Sequence, residues 1–305
     1  MGLPAGSETV IAIIFLLVCF VVLFIDAILA IAYLVHQPKV VAGETKPLFA
    51  PKWSLVDVWL GGQAAIVAIT IAVIPIVIAV IAMMGGINSP NAIQSERFMI
   101  PITCLSLIPQ NFILVMIPVL FITQKYKQRV ESIGFRLKPE RPEVVIGLIS
   151  GLCVIVFSLC LEFVLLTIAH VILGDNTMKS VTNAGKKMGN ESVIETSMAS
   201  PIWGFIMLIG GAVLAPIGEE FFFRGFLFNA LRRRINLPVA VCISALLFAV
   251  IHVAPLNVIV IFPMGIILAL SYYYTGSLWV PIIIHMTNNG VQLVVLYIWN
   301  LTGHH

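Results

Sequence analysis

Two adjacent carboxylates in an otherwise apolar run are the residues whose types and spacing first suggest chemistry. They lie in Ala215-Pro216-Ile217-Gly218-Glu219-Glu220-Phe221-Phe222-Phe223-Arg224-Gly225. Ionisable groups inside apolar segments are expensive to keep, so each is a candidate for function. On a helix, Glu220 and Arg224 are four apart, stack on one face and form an ion pair. Glu219 points about 100° away from Glu220 and has no intrahelical partner. Pairing with Arg224 holds Glu220 ionised. Burial and the neighbouring negative charge suit Glu219 to taking up a proton as a general base, although two adjacent acids can also titrate as one coupled pair. A buried ionic network that merely locks helices together would use the same residues.

Two later segments add to the pair. Phe248-Ala249-Val250-Ile251-His252 ends one apolar run, and His285-Met286-Thr287-Asn288-Asn289 lies within another, with His285 and Asn289 four apart on a shared face. One histidine in a helix is weak evidence of function, since it can be a hydrogen-bonded core residue. Two histidines together with a carboxylate pair are harder to explain structurally. The set suits peptide hydrolysis. Glu219, helped by His252, takes a proton from water as it attacks a carbonyl, and His285 and Asn289 donate to the developing oxyanion. Glu219, His252 and His285 equally form a familiar zinc set with an open fourth position, so metal-free and zinc chemistry both stand at this point.

The elements that must position these residues are membrane helices. The 305-residue chain is 60% hydrophobic and 10% charged, against about 45 to 50% and about 25% for a soluble domain. Apolar runs exceed the roughly 20 residues needed to cross a hydrocarbon core and lack the alternation of barrel strands. The expected fold is all-α, a polytopic transmembrane helical bundle of about eight spans, near 9–35, 60–86, 98–123, 144–173, 202–231, 237–254, 256–275 and 278–300. The first span is too long for a signal-peptide core and is expected to be retained.

Loops alternate in charge. Lys39, Lys46 and Lys52, the six basic residues from Lys125 to Arg141, and Arg232 to Arg234 fall on one side; Arg97, Lys179, Lys186 and Lys187 fall on the other. The basic side is expected to be cytoplasmic, with both termini outside. The 175–200 segment is long enough for a small exposed lid. At about 1.5 Å per residue, Glu219 stands roughly 20 Å from Arg232, His252 roughly 22 Å from Leu237, and His285 and Asn289 roughly 10 and 16 Å from Leu278. These depths let all four residues meet inside the bilayer. Pro216, one turn before Glu219, frees a backbone carbonyl and can open a polar crevice there.

Other polar residues carry less. Asp26 and Glu162 are isolated within spans, and Gln110 and Asn111, between Pro109 and Pro118, suit satisfying a broken backbone. His170 ends a span and His36 lies in a loop. Cysteines 19, 104, 153, 160 and 242 show no paired ligand spacing and read as small packing residues. The net charge of +3 follows from loop topology and gives no case for nucleic acid.

Glu219-Glu220-x-x-x-Arg224, Phe248-x-x-x-His252 and His285-x-x-x-Asn289, in this order, resemble the three motifs of the CAAX protease and bacteriocin-processing (CPBP, or Abi) family, which includes the Ras-converting CAAX endopeptidase. The resemblance covers roughly residues 144–300, so 144–305 is expected to be the catalytic transmembrane core. Residues 1–143 are expected to supply spans without a recognised motif, within one integrated membrane domain. The resemblance implies an intramembrane endopeptidase in which Glu219 and His252 activate water and His285 and Asn289 form the oxyanion hole. Glu220 and Arg224 would support the site or position substrate. It implies no cofactor, although the family has also been described as zinc enzymes. The implied substrates are peptides or lipidated proteins in the bilayer, of the plasma membrane in a prokaryote or the endoplasmic reticulum in a eukaryote. A non-catalytic scaffold or a secondary transporter is the alternative use of such a polar crevice.

Overall fold

Helices begin where the sequence provides caps. The computed structural model describes residues 51–86, 93, 95–188, 191–252 and 255–302. Ser54 opens helix α1, Leu55–Met83, through a reciprocal capping box: its hydroxyl accepts from the Asp57 N–H at 3.4 Å, and Asp57 Oδ2 accepts from the Ser54 N–H at 2.7 Å. The cap starts the helix five residues ahead of the expected 60, because residues 55–59, with the capping Asp57 among them, are helical too. Helix α2, Glu96–Leu120, runs on through a π-helical turn at Phe121–Lys125. A 3₁₀ turn at Val130–Ile133 leads to α3, Arg141–Met188, and α4 is Glu191–Met198. Helix α5 runs from Pro201 to Arg232, α6 is Leu237–Val250, α7 is Pro255–Thr275 and α8 is Trp279–Leu301. Among the described residues there is no strand.

Six helical stretches are long and apolar enough to span: Leu55–Met83, Glu96–Lys125, Arg141–Val164, Pro201–Arg232, Val258–Thr275 and Trp279–Leu301. The expected span at 9–35, and Asp26 within it, lie outside the described residues. The 175–200 segment is largely helical: α3 runs on to Met188, and α4 buries Val193, Ser197 and Met198, so residues 193–198 are packed in rather than a free lid.

Helix α6 departs most from expectation. It has 14 residues rather than the 18 of the apolar run, because the chain turns at Ile251 and His252 before Pro255 opens α7. At about 1.5 Å per residue it rises roughly 21 Å, short of a hydrocarbon core of about 30 Å. The His252 end of α6 therefore stops at membrane depth.

Residues Pro47–His305 form one compact unit. Helix α5 is its centre, with Phe221 and Phe223 to Leu231 all buried. Small residues let the other helices close in. A Cβ at Gly147 or Gly151 of α3 would stand 2.6 Å from Ile283 or Thr287 of α8, and one at Gly265 of α7 would stand 2.9 Å from the Ala245 backbone of α6. Outward faces carry large apolar side chains such as Ile66, Ile71 and Ile78 of α1 and Ile149 and Val156 of α3, as a lipid-facing belt requires.

The basic loops gather at one end. Trp53 Nε1 donates to the Phe226 carbonyl at 2.8 Å, and Arg233 Nη1 donates to the Trp53 carbonyl at 3.0 Å. The Leu278 N–H donates to the Gly134 carbonyl, Trp279 Nε1 to that of Arg136 and the Tyr272 hydroxyl to that of Ile133. Asp57, fully buried, binds Lys125 and the Tyr126 hydroxyl, tying the start of α1 to the end of α2. Segments 52–54, 124–140, 232–236 and 276–278 thus share one face of the bundle, the alternation expected from loop charge.

Candidate active site

Helix α5 places its two carboxylates between irregular turns. The α-helical stretch Ala215–Glu220 is flanked by π-helical Gly210–Leu214 and Phe221–Phe228. A π turn inserts a residue and re-aims the side chains beyond it, and such turns are frequent at functional sites. Gly218 lets the segment lie against α2: a Cβ there would stand 2.9 Å from both the carbonyl and side-chain oxygens of Asn111.

Glu220 is held through one oxygen, while its other oxygen, Oε2, is buried and accepts no hydrogen bond from the protein. Its Oε1 accepts from Arg224 Nη1 at 2.8 Å and from His285 Nδ1 at 3.0 Å, with Glu220 and Arg224 both at 0% exposure. Arg224 Nη2 donates to the Gly265 carbonyl of α7 at 3.2 Å, and its guanidinium lies 4.3 Å from the centre of the Phe248 ring. One ion pair therefore joins α5, α6, α7 and α8.

Glu219 is held differently. Its side chain keeps 13% exposure, and its Oε2 stands 3.9 Å from His285 Nε2. That oxygen is buried yet accepts no hydrogen bond from the protein. A buried acceptor without a donor costs about 1 to 3 kcal/mol. It is an atom with unused capacity beside a histidine whose other nitrogen is already engaged.

Phe248 brings the two histidines to this site. Its ring meets those of His252 at 5.2 Å and His285 at 5.6 Å, both edge-on, while Arg224 covers its face. His252 Nδ1 donates to the Phe248 carbonyl at 2.9 Å, which leaves Nε2 as the acceptor of a neutral ring. His252 thus reaches the group through Phe248 and makes no hydrogen bond to either carboxylate. Asn289 faces α5, where its Nδ2 donates to the Gly211 carbonyl at 3.2 Å. That carbonyl lies in the first π turn. The Ala215 N–H is aimed at Gly210, and Pro216, next in sequence, has no N–H to give.

Glu219, Glu220, Arg224 and His285 are therefore in mutual contact, with His252 and Asn289 attached through Phe248 and Gly211. Glu162 is exposed on α3, and Asn111 donates to its own Leu107 carbonyl at 2.8 Å. Cys104 is buried, whereas Cys153, Cys160 and Cys242 lie on exposed helix faces. Sequence reasoning used Phe248 only as a motif letter and passed over the Gly265 carbonyl; no local pattern marks a backbone oxygen that takes a guanidinium from another helix.

Zinc would need Glu219, His252 and His285 around one point. Among the described residues no group of three His, Cys, Asp or Glu side chains is disposed to hold a metal ion. Glu219 Oε2 and His285 Nε2 stand 3.9 Å apart, and no third donor joins them. The residues present do not fit that ion.

Residues 201–291 match the model of a family described as type II CAAX prenyl endopeptidase Rce1-like. This interval contains Glu219, Glu220, Arg224, His252, His285 and Asn289 and begins after α3 and α4, a narrower region than the motifs alone suggested. The chain is 36% identical over 110 residues to the membrane-embedded CAAX protease MroQ of Staphylococcus aureus (strain USA300), which covers 34% of this chain and 43% of that protein. It is 28% identical over 116 residues to the putative membrane peptidase YdiL of Bacillus subtilis (strain 168), covering 38% of this chain and 46% of that protein. The matches thus span less than half the length of either relative. No solved structure matches the chain.

Proposed function

From the match of residues 201–291 to the Rce1-like CAAX endopeptidase family model, we propose that this integral, multi-pass membrane protein is an intramembrane endopeptidase. Its substrate is a membrane-associated chain, either a CAAX-type prenylated C terminus or a peptide precursor. Glu219 is the general base. One observation carries this reading: the partly exposed Glu219 carboxylate has a buried oxygen without a hydrogen-bond donor 3.9 Å from His285 Nε2, next to a fully buried carboxylate that is ion-paired to Arg224 and hydrogen-bonded to His285.

Charge balance orders the steps. His285 Nδ1 donates to Glu220, so its Nε2 also carries a hydrogen only when the ring is an imidazolium. With Glu219 and Glu220 ionised and Arg224 and His285 protonated, the buried cluster is neutral, the state that burial favours. Water, held by Glu219 and the Nε2 of His252, attacks the carbonyl carbon as Glu219 accepts its proton. The negative charge moves from Glu219 to the tetrahedral oxygen, and His285 Nε2–H and the second Nδ2 hydrogen of Asn289 donate to it. The cluster with its oxyanion remains neutral. Collapse breaks the C–N bond, the proton on Glu219 passes to the departing nitrogen, and the products are a carboxylic acid and an amine, which leave as carboxylate and ammonium once the acid's proton passes to the amine. No metal is involved in any step.

The test is cleavage of a panel of bilayer-anchored peptides, prenylated and unmodified, by purified protein, with products read by mass spectrometry. At least one internal peptide bond should be hydrolysed by wild type and not by Glu219→Ala. Equal cleavage by the two proteins would remove the proposal.

A further inference from the structure

Asn289 sits at the end of a directed chain of carboxamides. Gln292 Nε2 donates to Asn288 Oδ1 at 3.2 Å, Asn288 Nδ2 donates to Asn289 Oδ1 at 3.1 Å, and Asn289 Nδ2 donates to the Gly211 carbonyl at 3.2 Å. The direction of the whole chain follows from its last atom. A carbonyl can only accept, so Asn289 must turn its NH₂ to Gly211 and its oxygen to Asn288. Asn288 must then present its own NH₂, and its oxygen needs the donor that Gln292 supplies. The carbonyl is available because the π turn aims the Ala215 N–H at Gly210 and Pro216 has no N–H. A proline one turn from Glu219 thereby sets the orientation of three side chains on another helix.

The position of Gln292 makes the chain hard to explain as packing. It lies 13 residues past Trp279, roughly 20 Å along α8 and inside a core of about 30 Å, yet it is exposed while Asn288 is buried. A carboxamide at that depth is costly on a lipid-facing surface. Its observed bond is to Asn288.

We infer that Asn288 and Gln292 are positioning residues that act through Asn289, fixing its amide so that the second Nδ2 hydrogen stays aimed at the oxyanion. Without them the Asn289 oxygen loses its donor, the amide is held by its Gly211 bond alone, and the hydrogen bond to the oxyanion is less well aligned. Neither residue touches the reacting atoms. The inference rests on the protease reading above.

The experiment is steady-state cleavage by Gln292→Leu, Asn288→Asp and Asn289→Ala, and by Gln292→Leu combined with Asn289→Ala. Gln292→Leu, on an exposed face, should keep the thermal transition of wild type in detergent. Its kcat should fall about three- to tenfold, the size of one neutral hydrogen bond, with KM within about twofold. Asn288→Asp replaces a donor by an acceptor against the Asn289 oxygen and should fall further. Asn289→Ala should lose about 10²- to 10³-fold, and adding Gln292→Leu to it should cost nothing more, because its target has gone. Wild-type kcat in both Gln292→Leu and Asn288→Asp, or an equal loss from Gln292→Leu with Asn289 present and absent, would overturn the inference while Glu219→Gln remained inactive. If Glu219→Gln matched wild type, the protease reading itself would fail and take this inference with it.

Discussion

His285 and Glu220 stand 3.0 Å apart, Nδ1 to Oε1, on the same oxygen that accepts from Arg224. That shared atom divides the labour of the two adjacent glutamates: one carboxylate, fully buried, holds the helices and the imidazole in place, and the other keeps 13% exposure beside His285 Nε2.

Conservative changes at the two acids should therefore diverge. Glu220→Gln removes the charge from a pair at 0% exposure and leaves Arg224 buried without its counter-ion. The cost should be about 3 to 5 kcal/mol, seen as a large fall in the thermal transition in detergent. Glu219→Gln keeps shape but cannot take up a proton at neutral pH, so it should melt like wild type and lose hydrolysis. A melting loss as large for Glu219→Gln as for Glu220→Gln would contradict this division.

Phe248 should behave as part of the site although it has no titratable group. Its ring carries Arg224 on one face and meets both His252 and His285 edge-on. Phe248→Leu keeps an apolar side chain but removes a desolvated cation–π contact of about 2 kcal/mol. Thermal stability should fall by about that amount and kcat by at least tenfold, since both imidazoles lose their stop. A variant that melts lower but turns over at the wild-type rate would reduce Phe248 to packing.

Much of this arrangement was legible from spacing. Glu220 and Arg224 are one helical turn apart, and that pair forms whatever the neighbours do. Counting residues along the apolar runs let Glu219 and His285 meet, and their side chains stand 3.9 Å apart. The end of α6 at Val250 was not legible, because Ile251 and Val253 continue the apolar run and only the turn before Pro255 stops the helix. Nor were the π turns flanking Ala215–Glu220, which depend on how α5 packs against its neighbours. The pairing of Asn289 with the Gly211 carbonyl joins residues 78 apart in sequence, and no periodicity encodes a contact of that kind.

The shared end of the basic segments gives a test of sidedness. Lys138 and Arg234 are exposed there, whereas Ala199 is exposed at the turn between α4 and α5. By the excess of Lys and Arg in cytoplasmic loops, a membrane-impermeant thiol reagent on intact cells should label Ala199→Cys and spare Lys138→Cys and Arg234→Cys, all in a cysteine-free background. The opposite pattern would invert the bundle and move the basic loops outside.

Metal content separates the two chemistries that the residue types alone left open. A zinc ion needs three protein ligands at about 2.0 to 2.2 Å, and the candidates were Glu219, His252 and His285. His285 turns Nδ1 to Glu220 and offers only Nε2, which lies 3.9 Å from Glu219 Oε2, while His252 turns Nδ1 to its own helix at Phe248. Two donors converge there rather than three. Using Glu219 as a ligand would also consume the base, and Glu220, fully buried and ion-paired to Arg224, is a poor substitute. Protein purified in the presence of a chelator should therefore retain full cleavage activity and hold well under one zinc per chain by elemental analysis. Stoichiometric zinc, with activity lost on its removal and restored by its return, would replace the metal-free scheme with a metal-bound one built on the same residues.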